Sequence, residues 1–93
     1  MDLSQCSSAF YSLLEKMEVL EWNIEKERKE FIFSSSRELI DHNEGVIAFE
    51  NICQNIYEYD VRISKELYKE IEELGLRYNL EKGTWEFLNE LIT

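Results

Sequence analysis

Few side chains here could do chemistry, and His42 heads them: it is the only histidine, and Asp41 and Glu44 stand beside it. Imidazole with nearby carboxylates can bind a metal or move protons. A carboxylate-bridged metal site in a helical bundle needs Glu-x-x-His motifs on two helices plus glutamates on two others, and the chain has no Glu-x-x-His. A place near a helix C-terminus, where an imidazolium suits the dipole, accounts for His42 more simply. The serines have no triad partner beyond that one histidine, and neither a glycine-rich phosphate loop nor a Gly-x-Ser-x-Gly elbow occurs. Cys6 and Cys53 are too few and too irregularly placed for zinc or a disulfide scaffold, which leaves two reduced thiols. The expectation is a protein that is not an enzyme and needs no metal or cofactor.

Charge is the stronger signal. Twenty acidic and ten basic side chains give a formal net charge of −10. That balance argues against phosphate backbones and anionic membranes; it suits a basic partner, or solubility alone. Nucleic-acid binding would also need a basic stripe with interleaved aromatics, and the ten cations are scattered. Between Glu38 and Asp60 lie six acids, Glu38, Asp41, Glu44, Glu50, Glu58 and Asp60, without a single lysine or arginine. Such a block is either solvated surface or a recognition face.

The elements that must carry these residues are helices. A chain of 93 residues with 44% hydrophobic side chains, no proline and three glycines can bury one modest core and leans away from a turn-rich β fold. Leu3, Cys6, Phe10, Leu13, Met17 and Leu20, widened by Ala9 and Leu14, repeat at helical spacing, with Asp2 and Gln5 as a plausible cap. Glu25 to Glu30 is a mixed-sign run without apolar residues, either a solvated helix surface or an exposed connection. Phe31, Ile32 and Phe33 return to the core. Ser35 and Glu38 then have capping-box spacing, so a helix either starts near Ser36 or runs through from about Lys29. Asn43, with Gly45 just beyond, should end it around His42.

From Glu44 to Glu58, Val46, Phe49, Ile52, Cys53, Ile56 and Tyr57 share one helical side and Glu44, Asn51, Asn55 and Glu58 the other. Ile47 and Gln54 fall on the polar side, where Ile47 can pack on a neighbouring helix, the favoured reading, or contact a partner. After a link from Asp60 to Ile63, Ser64 should cap a helix with Leu67, Tyr68, Ile71, Leu74 and Tyr78 inward and a Glu73–Arg77 pair outside. Gly83 can close that region, and Thr84 can cap a last helix carrying Trp85, Leu88, Leu91 and Ile92 inward. The sum is a single all-α domain spanning residues 1–93, a small antiparallel bundle of four or five helices. Its expected core includes Phe10, Leu13, Phe49, Ile52, Ile56, Leu67, Ile71, Leu74, Trp85 and Leu88. The start MDLSQC has neither a basic n-region nor an apolar h-region, and no apolar run approaches a membrane span, so a cytoplasmic location is expected.

The stretch His42-Asn43-Glu44-Gly45-Val46-Ile47-Ala48-Phe49-Glu50-Asn51-Ile52-Cys53, with Ile63-Ser64-Lys65-Glu66-Leu67-Tyr68 and Trp85-Glu86-Phe87-Leu88, resembles the small all-helical MafI-type immunity proteins of bacterial polymorphic toxin and contact-dependent inhibition systems. The resemblance covers roughly residues 36–92. Where a Gly-Glu pair opens the family's central helix, this chain has Asn43 before Glu44, and both residue types accept the left-handed turn. The resemblance implies an inhibitor that binds a secreted nuclease toxin, an RNase of the EndoU type among them, in a 1:1 complex. It transfers no binding residues. Charge and helical geometry alone nominate Glu38, Asp41, Glu44, Ile47, Asn51, Gln54, Glu58 and Asp60 as the partner-binding set. The competing expectation is a non-catalytic adaptor or self-associating scaffold, and a homo-oligomer is compatible with either.

Overall fold

The computed structural model describes residues 3–93, with side chains from Ser7 onward. Among the described residues there are four α-helices, α1 (Leu3–Glu18), α2 (Lys26–Asp41), α3 (Gly45–Glu58) and α4 (Lys65–Arg77), followed by 3-10 segments at Lys82–Thr84 and Glu86–Leu91. The protein is thus an all-α bundle. The cap expected of Asp2 and Gln5, and the inward positions Leu3 and Cys6, lie outside the described residues and side chains. Further along α1, Phe10, Leu13, Leu14 and Met17 are buried as their spacing requires.

Helix α2 runs through the serine triplet, and Ser35 caps nothing. The hydroxyls beside it are satisfied within the helix: Ser36 Oγ donates to the Ile32 carbonyl at 3.0 Å and Ser34 Oγ to that of Phe31 at 3.2 Å. Serines bonded back to the preceding turn do not terminate a helix. The Glu25–Glu30 run is accordingly helix surface, opened by Glu25 in an extended conformation without a side-chain cap. Only two of the three apolar residues that follow reach the core. Ile32 and Phe33 are buried and Phe31 is 69% exposed, because successive residues turn by about 100° and three in a row span far more than one buried stripe.

The turns that follow α2, α3 and α4 share one device. Asn43, Asp60 and Asn79 stand there with φ of 66°, 53° and 58°. The next amide in each case reaches back five residues: Glu44 to Leu39 at 2.7 Å, Val61 to Ile56 at 3.0 Å, Leu80 to Gly75 at 3.0 Å. The left-handed residue's own amide bonds the carbonyl three residues back. This is the Schellman arrangement, which satisfies the last helical carbonyls. Asparagine and aspartate supply it here, and no glycine among the described residues has positive φ. Gly45 serves packing instead. A Cβ there would lie 2.5 Å from the Phe10 ring, so glycine lets the start of α3 rest on α1.

Every residue of the expected core list is buried. Ser64 caps α4 by accepting from the Leu67 amide at 3.0 Å. The last segment differs from expectation. It is 3-10 rather than α, Thr84 provides no cap, and Trp85, Leu88 and Leu91 face inward. Their spacing of three is the period of a 3-10 helix, so a single face can bury all of them. Beyond it, Ile92 pairs with Ile63 in an isolated parallel bridge, with Ile63 N–H donating to Leu91 O at 3.1 Å and Thr93 N–H to Ile63 O at 3.0 Å. Val61 and Ile63 of the intervening link are therefore core residues. Aromatic contacts close the rest: Phe10 stacks on Tyr78 at 5.0 Å, and Trp22 stands edge-on to Phe33 at 5.3 Å while its Nε1 donates to Met17 O.

Candidate functional site

The helical hairpin α2–α3 carries the candidate site. Its turn is short, residues 42–44, and its helices run antiparallel: Arg28 near the start of α2 lines one groove with Glu58 near the end of α3, while Glu38 and His42 line another with Glu44. Ser35 and Leu39 line both grooves, which makes them one continuous furrow between the helices. On α3 and its N-cap the exposed row is Glu44, Ile47, Asn51, Gln54 and Glu58, at spacings of three and four. Ile47 is 45% exposed and so stands at the surface of the hairpin.

Six of the eight nominated residues meet on this face. Glu38 and Glu44 stand at one end of the furrow, Asn51, Gln54 and Glu58 at the other, and Ile47 occupies the same row between them. The other two line neither groove and have partners of their own. Asp41 turns towards α1, where it accepts a hydrogen bond from Tyr11 Oη, an acceptor that raises the tyrosine's pKa. Asp60 occupies the left-handed position after α3 and pairs with Arg62 at 3.1 Å. Tyr57, expected inward, is 45% exposed; its ring packs T-shaped with Phe87, centroids 5.2 Å apart, and its hydroxyl donates to Glu90 at 3.4 Å. Ala48 takes up core volume that the sequence pattern left unassigned.

Arg28, Phe31, Ser35 and Leu39 form the α2 wall of the furrow, and sequence reasoning does not find them. The i, i+4 repeat Phe31–Ser35–Leu39 is the available signal, masked because Phe31 belongs to an apolar triplet that points to the core. The structure also brings a cation, Arg28, to a face whose own stretch of sequence has none; its Nη1 reaches Tyr59 Oη at 3.5 Å. Arg37, the other arginine of α2, is held by Glu18 of α1.

His42 caps α2, its Nδ1 2.8 Å from the Glu38 carbonyl. That hydrogen bond is the largest influence and, together with the carboxylates of Glu38, Asp41 and Glu44, outweighs the opposing desolvation, so its pKa is raised above 6.5. Among the described residues no three His, Cys, Asp or Glu side chains gather to hold a metal. Cys53 is fully buried, and burial, with Glu50 adding, pushes its thiol up to about 12, so it is protonated and unreactive at neutral pH. The expected Glu73–Arg77 pair is not closed; those residues line a mixed-sign groove between α1 and α4 that Lys16 and Glu70 bridge at 2.7 Å.

What this arrangement can do is bind. Carboxylates, carboxamides and two exposed apolar side chains are suited to non-covalent recognition. No helix among the described residues is long and apolar enough to cross a membrane. Comparison of the chain with family models, curated proteins and solved structures returned no match.

Proposed function

We propose that this chain is a cytoplasmic, non-catalytic immunity protein that neutralises a basic nuclease toxin, an RNase in the first instance, by docking its α2–α3 face against the toxin's cationic surface in a 1:1 complex. The observation that carries the reading is the composition of that face, where Glu38, Glu44 and Glu58 share the hairpin with the exposed Phe31 and Ile47 and with one cation, Arg28. RNA-cleaving domains need cationic clefts; an acidic face steers towards them and raises the association rate. Affinity comes mainly from a few desolvated anchors, the part Phe31 and Ile47 can play. A standard interface takes about 800 Å² per partner, about an eighth of the 6012 Å² surface, so the partner covers the whole hairpin face rather than the furrow alone. The resemblance to MafI-type proteins supports the same reading.

The test is co-expression with the nuclease domain encoded by the neighbouring reading frame. Growth rescue, with a 1:1 complex by light scattering, is the expected result. Stable homo-oligomers with no nuclease complex would sink the proposal and favour a self-associating scaffold.

A further inference from the structure

The lower half of the furrow has a chemistry more specific than acidity. It encloses about 270 Å³ and places the Phe31 ring, 69% exposed, opposite Asn51, Gln54 and Glu58, whose spacings of three and four put them on one side of α3. Glu58 has no ion pair: the three among the described residues are Lys16–Glu70, Arg37–Glu18 and Arg62–Asp60. Arg28 lines the same part of the furrow, but its Nη1 turns to the Tyr59 hydroxyl at 3.5 Å and leaves Glu58 unpaired. Asn55 Nδ2 donates to the Asn51 carbonyl at 3.0 Å, leaving its Oδ1 as a further acceptor. An aromatic face, a carboxylate and several amide oxygens around a small furrow match a flat cation with many N–H groups.

Resting on the reading of this hairpin as the docking face for a basic protein, we propose that the furrow receives an arginine side chain of that partner. The guanidinium lies on the Phe31 ring and shares its N–H groups among Glu58 and the carboxamides of Asn51 and Gln54. Lysine fits less well, because an ammonium is a strongly hydrated point charge that cannot lie flat on a ring and bond sideways together. The serine triplet acquires a purpose here: Ser35, between Phe31 and Leu39, is small enough to leave the furrow open.

Two blocked tetrapeptides, Gly-Arg-Gly-Arg and Gly-Lys-Gly-Lys, titrated into the ¹⁵N-labelled protein at low salt, are the probes. The arginine peptide should bind about two- to five-fold more tightly, with shifts centred on the side-chain amides of Asn51, Gln54 and Asn55. Phe31→Leu, at an exposed position that leaves the core intact, should bring the ratio to about one, and Glu58→Gln should weaken both peptides. Equal affinities in the native protein, a preference that survives Phe31→Leu, or shifts centred elsewhere would overturn the inference. Failure of the nuclease complex would remove the proposed function and leave an arginine preference standing; loss of the preference would leave the nuclease complex standing.

Discussion

Gly75 of α4 lies so close to the six-membered ring of Trp85 that a Cβ at position 75 would overlap it. Trp85 is fully buried and cannot retreat, so this contact sets how near the C-terminal 3-10 segment comes to α4.

Gly75→Ala should therefore destabilise the fold even though alanine is the better helix former. Overpacking of a rigid core costs about 1–3 kcal/mol or more, and the helical advantage of alanine returns about 1 kcal/mol. The net expected loss is roughly 1–2 kcal/mol, read from urea unfolding midpoints. Gly83→Ala is the control: nothing lies within 4 Å of a Cβ there, and the change should stay within about 0.5 kcal/mol. Equal effects at the two sites would refute the packing account.

The left-handed residues after three helices make a second set of expectations. Asn79→Ala, at φ 58°, should lower stability by about 1 kcal/mol, while Asn79→Gly should be close to neutral. In a domain of this size a loss of about 1 kcal/mol shifts Tm by about 4–8 °C. If alanine and glycine prove indistinguishable by calorimetry, backbone strain is not what selects asparagine here.

His42 makes stability depend on pH. Its folded pKa is raised above the ordinary 6.5, chiefly by the Glu38 carbonyl and then by the neighbouring carboxylates. The added stability is thus fully present below about pH 6.5 and is lost as the pH rises through the higher folded value. The Tm difference between native protein and His42→Gln should shrink from about pH 6 to about pH 8. A difference that is flat or grows over that interval would exclude the cap as a titrating element. Protection against a toxin should survive the substitution.

The docking face predicts a charge-reversal contrast. Glu44→Lys with Glu58→Lys should slow association with the basic nuclease domain by about tenfold or more at low salt. The loss should shrink as salt shortens screening to about 8 Å and below. Glu66→Lys with Glu73→Lys, exposed on α4 rather than on the hairpin, changes net charge equally. Matched losses by stopped-flow would mean that only net charge is sensed, and unchanged binding in the first pair would move the interface elsewhere.

Helix content, the buried stripes, the Ser64 cap and the left-handed turn at Asn43 are legible in the sequence because each rests on local physics: a period of 3.6, a hydroxyl beside free amides, a side chain tolerant of positive φ. The 3-10 character of the end is also written in the spacing of Trp85, Leu88 and Leu91, although the same spacing suits an α-helix. Tertiary structure decided the rest, because a hydrophobic pattern fixes positions around one helix axis but not where the neighbouring helices lie. Of three adjacent apolar residues, only the location of α1 and α3 could turn Ile32 and Phe33 inward and leave Phe31 on the surface. Six carboxylates that form one block in the chain have different partners in the fold, since Asp41 accepts from Tyr11 on α1 and Asp60 pairs with Arg62. And Arg28, well before that block in the chain, reaches the Glu58 end of the furrow because an antiparallel hairpin places the start of one helix beside the end of the next.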